Sequence, residues 1–335
     1  MRHVDIGIFA HNEERSIGDL LADLDRQTLL QHPRASLRIR ILCNGCTDQT
    51  AEVACRAISA SDHLGPITRV DDFERGGKSL TWNRYVSELP GDADVVIFVD
   101  ADIRVRDTAV FFNLFDELQH SEALSVTSRP VKRVDAIRWN PLLRTAAVLM
   151  TPAHRDGPIC GQLYAVRASA IRHIRLPVPC LVEDGFLSAC LVTGLFTGPG
   201  EPEQVKASSL ASHEFQAPGT FREFFRHDVR LRLGCEMNAA MYSDLWAAKS
   251  ADERLEILTQ FAASEGISRS LDEHERHPER SALAWRSPLR GFRENGRRNA
   301  FKSVLKLPFR FAHFVYMEAV RRRAVRLFRQ RQFQW

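Results

Sequence analysis

Short apolar runs alternate with amphipathic stretches along the first half of the chain. Val95–Val99 consists only of β-branched and aromatic residues, which is typical of a buried strand. Between such runs, apolar residues recur at helical spacing. The predicted elements, in chain order, are strand Val4–Phe9, helix Glu13–Gln27, strand Leu37–Cys43, helix Asp48–Ile58, strand Ile67–Val70, helix Lys78–Leu89 and strand Val95–Val99. This β-α-β-α order predicts a mostly parallel, Rossmann-like α/β sheet with helices on both faces.

The second half of the chain becomes mainly helical after about residue 218. The elements predicted before that point are helix Asp107–Gln119, strand Leu124–Ser128, an amphipathic stretch Ala136–Met150, strand Cys160–Val166 and a helix after Asp184. Residues 265–300 are rich in charge, Ser, Pro and Gly, which indicates a connector. We therefore expect an α/β domain over residues 1–217 and a helical extension over 218–335.

Charge is distributed unevenly along the 335 residues. The net charge is +4, but residues 286–335 hold 14 Arg or Lys against Glu294 and Glu318. The tail therefore carries +12 and residues 1–285 carry −8. Anionic partners are accordingly expected for the tail only.

The seven cysteines are odd in number and irregularly spaced, which does not indicate a disulfide framework. Cys43 and Cys46 have C-x-x-C spacing, which a redox or zinc site also uses, but no second pair follows at zinc-ribbon spacing. A strand-to-loop turn is the favoured interpretation. No secretory signal precedes the first strand, and no stretch approaches the roughly 18 apolar residues of a membrane span. A cytoplasmic location is expected.

Polar side chains follow the predicted strands where ligands bind in open α/β sheets. Asp100 and Asp102 come directly after Val95–Val99, and unpaired carboxylates are costly to bury in a core. Hard oxygen ligands at a strand end suit Mg²⁺ or Mn²⁺ with a phosphate-bearing substrate. A solvated turn is the alternative for an acid pair taken alone.

Several segments, in order and spacing, resemble a family 2 glycosyltransferase of the GT-A fold. They are Ile8–Glu14, Leu42–Thr50, Gly77-Lys78 leading to Asn83, Phe98–Asp102, Gly161–Arg167 and Glu183–Gly185. The resemblance covers roughly residues 4 to 235. It implies inverting, metal-dependent transfer from a nucleotide sugar, with a donor half over about 1–102 and an acceptor half over about 103–217.

The resemblance also implies roles for the donor-side residues. Asp102 is the expected metal ligand, and Asp100 lies towards the ribose or donor sugar with a second metal contact. Ala10 and Ala101 belong to the same donor-binding segments. His11 is placed to stack on the base or to be structural, and Glu13 to accept from a ribose hydroxyl or to sit in the first turn of a helix.

Three further positions are expected at the donor. Asn44 replaces the Asp of many relatives, and its oxygen can accept from a uracil N–H, which favours UDP. Lys78 opens a helix after two glycines and is a diphosphate contact or a solvated lysine. His213 is a further metal or phosphate contact or an ordinary surface histidine.

Glu183 and Asp184 match the family's catalytic acid motif. The resemblance assigns Asp184 as the base that deprotonates the acceptor hydroxyl, and Glu183 as an orienting or capping residue. Processive relatives carry Q-x-x-R-W, whereas this chain has His227 and Leu231 around a matching Arg230. Loss of the aromatic residue favours addition of a single sugar, with Arg230 available to the diphosphate.

A basic amphipathic helix is predicted at the C-terminus, with an apolar face from Phe309 to Leu327. Three interpretations stay open: an anionic membrane surface bound through residues 301–335, a helix packed on the catalytic domain, and nucleic acid, which is disfavoured. The first favours a lipid-linked or glycan acceptor at the inner face of the plasma membrane. A sugar-nucleotide pyrophosphorylase or a non-catalytic sugar-nucleotide scaffold are the alternative functions. A dinucleotide dehydrogenase is excluded because G-x-G-x-x-G is missing after the first strand.

Overall fold

The apolar runs form the centre of an eight-stranded sheet in the computed structural model, which describes residues 1–133, 159–263, 266–276 and 307–333. The strands are β1 Arg2–Ala10, β2 Ala35–Asn44, β3 Thr68–Phe73, β4 Val95–Asp100, β5 Ile103–Arg104, β6 Ser125–Arg133, β7 Leu163–Arg167 and β8 Val205–Gln216. Their order across the sheet is β3-β2-β1-β4-β7-β6-β8-β5. The four strands that the first half predicts, β1 to β4, pair in parallel as expected.

The helices flank this sheet and continue beyond it. They are α1 Ile17–Leu24, α2 Thr50–Ser59, α3 Lys78–Ser87, α4 Val110–Gln119, α5 Ala168–Ile171, α6 Glu183–Val192, α7 Phe221–Ala247, α8 Ala251–Ala262, α9 Ile267–Arg276 and α10 Leu307–Arg329. Short 3₁₀ turns occupy Thr28–Gln31, Gly65–Ile67 and Pro202–Gln204. The predicted helix Glu13–Gln27 is too long, because its first residues form the loop that leaves β1.

The sheet becomes mixed beyond β4. β7 runs antiparallel to β4 and β6, and β5 runs antiparallel to β8. The prediction missed β8, since its inward positions include Ser208 and His213 and the apolar alternation is therefore weak. The antiparallel strands add to the α/β sheet on the side away from β2 and β3.

Two hydrophobic clusters cover the two faces of the sheet. One face packs against α1, α2 and α4, and the other against α3, α6 and the C-terminal helices. Phe98 of β4 lies in the second cluster between stacked rings of Trp82 and Tyr164, at centroid distances of 5.6 and 4.8 Å. Helices on both faces are as predicted.

The terminal helix α10 packs on α7. Val320 and Ala324 are fully buried, and Tyr316 lies against Phe221 and Phe225. The Tyr316 hydroxyl also donates to Asp228 at 2.7 Å. The apolar face of the predicted tail helix is therefore a packing face, and it is not available to a membrane surface.

One part of the sequence prediction differs from the structure, and other parts lie outside the described residues. α9 lies within the predicted connector 265–300, so that part of the connector is helical rather than irregular. The structure does not describe several predicted parts: the stretch Ala136–Met150, residues 277–306 and 334–335, and the side chain of Phe309. Among the helices that are described, none combines the length and apolarity needed to cross a bilayer.

Candidate active site

Asp100, Ala101 and Asp102 leave the sheet at the carboxyl end of β4, beside the ends of β1 and β2. The Asp100 N–H donates to the Gln162 carbonyl at 2.8 Å, and the Ala101 N–H donates to the Phe9 carbonyl at 3.0 Å. The side chain of Ala101 is buried in the hydrophobic cluster that packs against α1, α2 and α4. The backbone on both sides thus fixes the triplet before any ligand is present.

Lys78 joins the donor side to the predicted catalytic acids. Its Nζ lies 2.7 Å from Asp100 Oδ1 and 3.0 Å from Glu183 Oε1. Arg230 Nη2 of α7 lies 3.9 Å from the other Glu183 oxygen. Side chains from α3, β4, α6 and α7 therefore meet at one place, although they are far apart in the sequence.

Burial and the neighbouring charges shift the pKa values of Asp100 and Glu183 in opposite directions. Burial raises the pKa of Asp100 to about 6, with a contribution from Asp102 and against the effect of Lys78. Burial also acts to raise the pKa of Glu183, but the positive charges of Lys78 and Arg230 outweigh it and the pKa is lowered. Glu183 is thus held as a carboxylate and is a poor proton acceptor.

Asp184 lies beside this cluster in the first turn of α6. Its Oδ1 accepts from the Gly185 N–H at 2.8 Å. Burial, followed by the negative charge of Glu183, raises the pKa of Asp184. A Cβ on Gly161 would lie 3.0 Å from the Asp184 Cβ, a tight contact, so glycine leaves room for the close approach of Asp184. Of the two acids, Asp184 has the electrostatics of a base.

Asp184, Glu183, Asp100 and Lys78 share one cleft. Its remaining walls are apolar and are formed by Phe9, Trp82, Phe98, Tyr164, Leu176 and Leu187. A low-polarity floor below four charged groups strengthens the electrostatic interactions among them. The apolar floor therefore keeps water away from one side of the charged groups.

The loop after β1 is tied to the loop after β2. The His11 Nδ1–H donates to the Asn44 carbonyl at 2.6 Å, and the Thr47 N–H donates to Asn12 Oδ1 at 2.8 Å. Asn12 has a φ of 57°, a left-handed conformation that Asn adopts more readily than most residues. Ala10 ends β1 as a buried residue. The His11 ring is exposed, and stacking on a base stays a prediction.

Glu13 and Asp102 bring two more carboxylates to the same edge. The Glu13 carboxylate accepts from the Ser16 hydroxyl, and burial raises its pKa. Asp102 is open to solvent, yet partial desolvation and the nearby Glu13 charge raise its pKa. Within the described part of the chain, neither side chain forms an ion pair, and both contribute negative potential where the predicted donor would lie.

Asn44 has a structural role in addition to the predicted one. Its side chain is buried, and its Oδ1 accepts from the Gly77 N–H at 2.7 Å and from the Thr81 hydroxyl at 3.0 Å. Both lone pairs of the amide oxygen are thereby used. Asn44 fixes the start of α3 and hence Lys78, whereas its contact with a base stays a prediction.

His213 is buried, and the surface alternative for it is wrong. Its Nδ1 lies 3.0 Å from the Ser128 hydroxyl and its Nε2 lies 3.2 Å from Gln162 Oε1. The Gln162 carbonyl in turn accepts from the Asp100 N–H. The sequence analysis did not single out Ser128 or Gln162, although Gln162 follows Gly161 within a motif that it quoted.

The carboxylates fit a divalent cation. Asp100 and Asp102 supply the hard oxygen ligands that Mg²⁺ and Mn²⁺ prefer. In the part of the chain that is described, no three His, Cys, Asp or Glu side chains form a ready cage. The other ligands would come from a diphosphate and water, and the metal roles of Asp102, Asp100 and His213 stay predictions.

The C-x-x-C pair spans the end of β2 and the loop that follows it. All seven cysteines are free thiols, and Cys43 is fully buried in the core. Burial raises the pKa of Cys43 to about 12, so its reactive thiolate form is suppressed. The turn interpretation is the one that the structure supports.

Comparison with known proteins identifies the family. The family model described as Glycosyl transferase family 2 matches residues 5–172, half of the chain. The chain belongs to glycosyl transferase family 2. The matched region holds the Asp100–Asp102 triplet, Lys78 and the loops after β1 and β2. The protein is accordingly a glycosyltransferase.

Solved structures agree with the GT-A fold of this transferase. The mannosyltransferase PcManGT from Pyrobaculum calidifontis, in complex with GDP-Man and Mn²⁺, is 16% identical with a TM-score of 0.56, over 98% of this chain and 87% of that chain. A mycobacterial protein is 17% identical with a TM-score of 0.51, over 75% and 76%. No curated protein matches the sequence.

Proposed function

We propose that this transferase moves one sugar from a nucleotide sugar, with inversion, to a hydroxyl group of a lipid-linked or glycan acceptor. The observation that carries the proposal is the position of Asp184, which shares a cleft with Asp100 and Lys78. A base must face the anomeric carbon from the side opposite the leaving diphosphate. In the proposed arrangement, Asp184 on α6 faces the acceptor and Asp100 on β4 lies on the side of the diphosphate.

The residues of the cleft support a direct displacement. Asp184 takes the proton of the acceptor hydroxyl, while the oxygen of that hydroxyl forms a bond to the anomeric carbon. The bond from that carbon to the diphosphate breaks, and the electron pair leaves with the nucleoside diphosphate. Lys78 and Arg230 donate to the departing phosphate oxygens. A divalent cation on Asp102 and Asp100 would add Lewis-acid stabilisation of the leaving group.

A UDP-sugar is the proposed donor, as the sequence predicts, but its base must be bound without the Asn44 oxygen, because Gly77 and Thr81 already donate to both lone pairs of that oxygen. The GDP-Man in the structure of PcManGT makes a GDP-sugar the competing donor. Leu231 on α7 supports addition of a single sugar, since this position lacks the aromatic residue of processive relatives and is 40% exposed.

Slow hydrolysis of nucleotide sugars tests the chemistry without knowledge of the acceptor. We expect the wild type with Mn²⁺ to release UDP from UDP-sugars faster than GDP from GDP-sugars. Asp184→Asn should lower this rate by a factor of about 10² or more, because the base is lost. The measurement is nucleotide release by chromatography.

Asp62→Asn is the matched control, since Asp62 is exposed in the loop before β3. It should hydrolyse at the wild-type rate. If the wild type binds nucleotide sugars without hydrolysing them, the protein is a sugar-nucleotide scaffold. If Asp184→Asn hydrolyses them as fast as the wild type does, another group is the base.

Association with the inner face of the plasma membrane is the second part of the proposal. The inward face of α10 is packed on α7, but its outward face supports membrane contact. Phe311 and Val315 on that face are 65% and 52% exposed, and Arg322 and Arg326 continue the face as exposed cations. Exposed apolar residues beside arginines suit an anionic bilayer.

Vesicle sedimentation tests this part. We expect binding to vesicles that contain phosphatidylserine and none to neutral vesicles. The double variant Phe311→Ser with Val315→Ser should lower the bound fraction several-fold, whereas Leu210→Ser, an equally exposed residue on β8, should not. Equal binding by all three proteins would rule out this face.

A further inference from the structure

We propose that Lys78 makes metal binding depend on the nucleotide. Its ammonium group binds the Asp100 carboxylate until a diphosphate binds and accepts hydrogen bonds from Lys78 instead. The inference rests on the proposed function and concerns the order in which the donor site is filled. It assigns Lys78 two consecutive positions, first on Asp100 and Glu183 and then on the phosphate.

The ammonium group of Lys78 contacts two carboxylates. Nζ lies 2.7 Å from Oδ1 and 2.9 Å from Oδ2 of Asp100, and 3.0 Å from Oε1 of Glu183. The two Asp100 oxygens lie in nearly the same direction from Nζ and share its protons on that side, while another proton is directed to Glu183. Both oxygens of Asp100 thus face a cation that belongs to the protein itself.

The backbone and the side chain of Lys78 differ in freedom. Lys78 begins α3, and the N–H of the preceding Gly77 is held by the buried Asn44 side chain at 2.7 Å. The side chain beyond this fixed point is a flexible four-carbon stem. The ammonium group can therefore move between acceptors while the helix stays in place.

Two cations cannot share Asp100 without repulsion. A divalent ion that approaches Asp100 in the absence of nucleotide must displace Lys78 or lie within a few ångström of it. Displacement from Asp100 alone leaves Lys78 with Glu183, at 3.0 Å, as its one remaining carboxylate among these contacts. A diphosphate removes the conflict, since its oxygens accept from Lys78 and also ligate the metal.

Titration with Mn²⁺ alone, followed by electron paramagnetic resonance of the free ion, tests the inference. We expect Lys78→Met to bind Mn²⁺ without nucleotide at least about tenfold more tightly than wild type does. With saturating Mn²⁺, the same variant should bind UDP about tenfold more weakly. These opposite signs are diagnostic, because general damage to the site would weaken both.

Lys206→Met is the matched control, since Lys206 is exposed on β8 away from the cleft. It should match wild type in both titrations. If Lys78→Met does not fold by circular dichroism, Lys78→Gln replaces it, because the amide retains hydrogen-bond donors and removes only the charge.

Two results separate the possible failures. If the Lys78 variants bind Mn²⁺ alone as wild type does, or more weakly, while wild type binds Mn²⁺ with UDP or GDP, only the inference is overturned. If wild type binds no Mn²⁺ even with either nucleotide, the metal dependence in the proposed function fails and the inference fails with it.

Discussion

Asp23, a residue outside the cleft, holds the chain that follows the Asp100–Asp102 triplet. It lies on α1 and is fully buried, yet its Oδ2 accepts from Arg104 Nε at 2.6 Å and from the Val105 N–H at 3.0 Å. Burial acts to raise its pKa, but the hydrogen bonds from Arg104 and Val105 outweigh it and the pKa is lowered. Asp23 thereby ties Arg104 and Val105, two and three residues after Asp102, to α1.

Asp23→Asn should lower the free energy of unfolding by about 3 kcal/mol, since it leaves Arg104 without its buried charged partner. Urea denaturation measures this loss. Asp19→Asn is the matched control: Asp19 pairs with the same arginine, but its side chain is 62% exposed. The control should lose less than about 1 kcal/mol, and equal losses would contradict the role of burial.

The same pair predicts a pH dependence. The pKa of Asp23 is lower in the folded protein than in the unfolded chain, so its contribution is fully present above about pH 4 and is lost as the pH falls below that. The difference in stability between wild type and Asp23→Asn should therefore shrink on acidification.

At the scale of elements, α7 positions the catalytic acids by crossing the loop that leads into α6. Arg230 Nε donates to the Leu181 carbonyl at 3.2 Å, and Asn238 Nδ2 donates to the Val182 carbonyl at 2.9 Å. Gly234 lies between these two residues on the helix. A Cβ there would contact the Val182 side chain and lie 3.1 Å from the Val182 nitrogen. The close crossing therefore requires glycine.

Gly234→Ala should displace the loop before Glu183 and lower nucleotide-sugar hydrolysis by roughly tenfold to a hundredfold. The gain of about 1 kcal/mol in helix propensity does not offset an overpacking cost of about 1–3 kcal/mol. Hydrolysis rates and urea denaturation check both effects. Gly91→Ala, whose Cβ would meet no atom within 4 Å, should behave as wild type. An active Gly234→Ala variant would show that the crossing tolerates a methyl group.

At the scale of the molecule, the terminal helix completes the core of one sheet face. Val320, Ala324 and Phe328 belong to the same hydrophobic cluster as Phe98 and Trp82 beside the cleft. Tyr316 adds a ring contact and a hydrogen bond to α7. The helical extension and the α/β domain are therefore joined by apolar burial and not only by the chain.

Val320→Asp should lower the free energy of unfolding by more than about 2 kcal/mol, because it buries an unpaired carboxylate. Ala319→Asp introduces the same group one residue earlier, where the side chain is exposed, and should stay within about 0.5 kcal/mol of wild type. Thermal melts of both variants measure the difference. Similar melting temperatures would mean that α10 does not form part of the folded core.

Features set by local sequence patterns could be predicted, whereas features set by long-range contacts could not. β1 to β4 could be predicted because their apolar runs are local patterns, and the site residues at their ends follow from the geometry of parallel strands. β8 could not be predicted because its buried positions carry Ser208 and His213, whose hydrogen-bond partners lie on α4 and on β6, far away in the sequence. The roles of Gln162 and Gly234 could not be predicted for the same reason, since they depend on which distant residues pack against them.

The sequence by itself determined the family, the α/β order of the first half and the identity of the charged groups at the strand ends. Only the tertiary structure decided how those groups are paired: Lys78 with Asp100 and Glu183, Asn44 with the start of α3, and the tail helix with α7. The physical reason is the distance along the sequence over which each feature is set. Apolar periodicity and motif spacing are local properties of a chain, whereas ion pairs and helix packing depend on which distant segments the fold brings together.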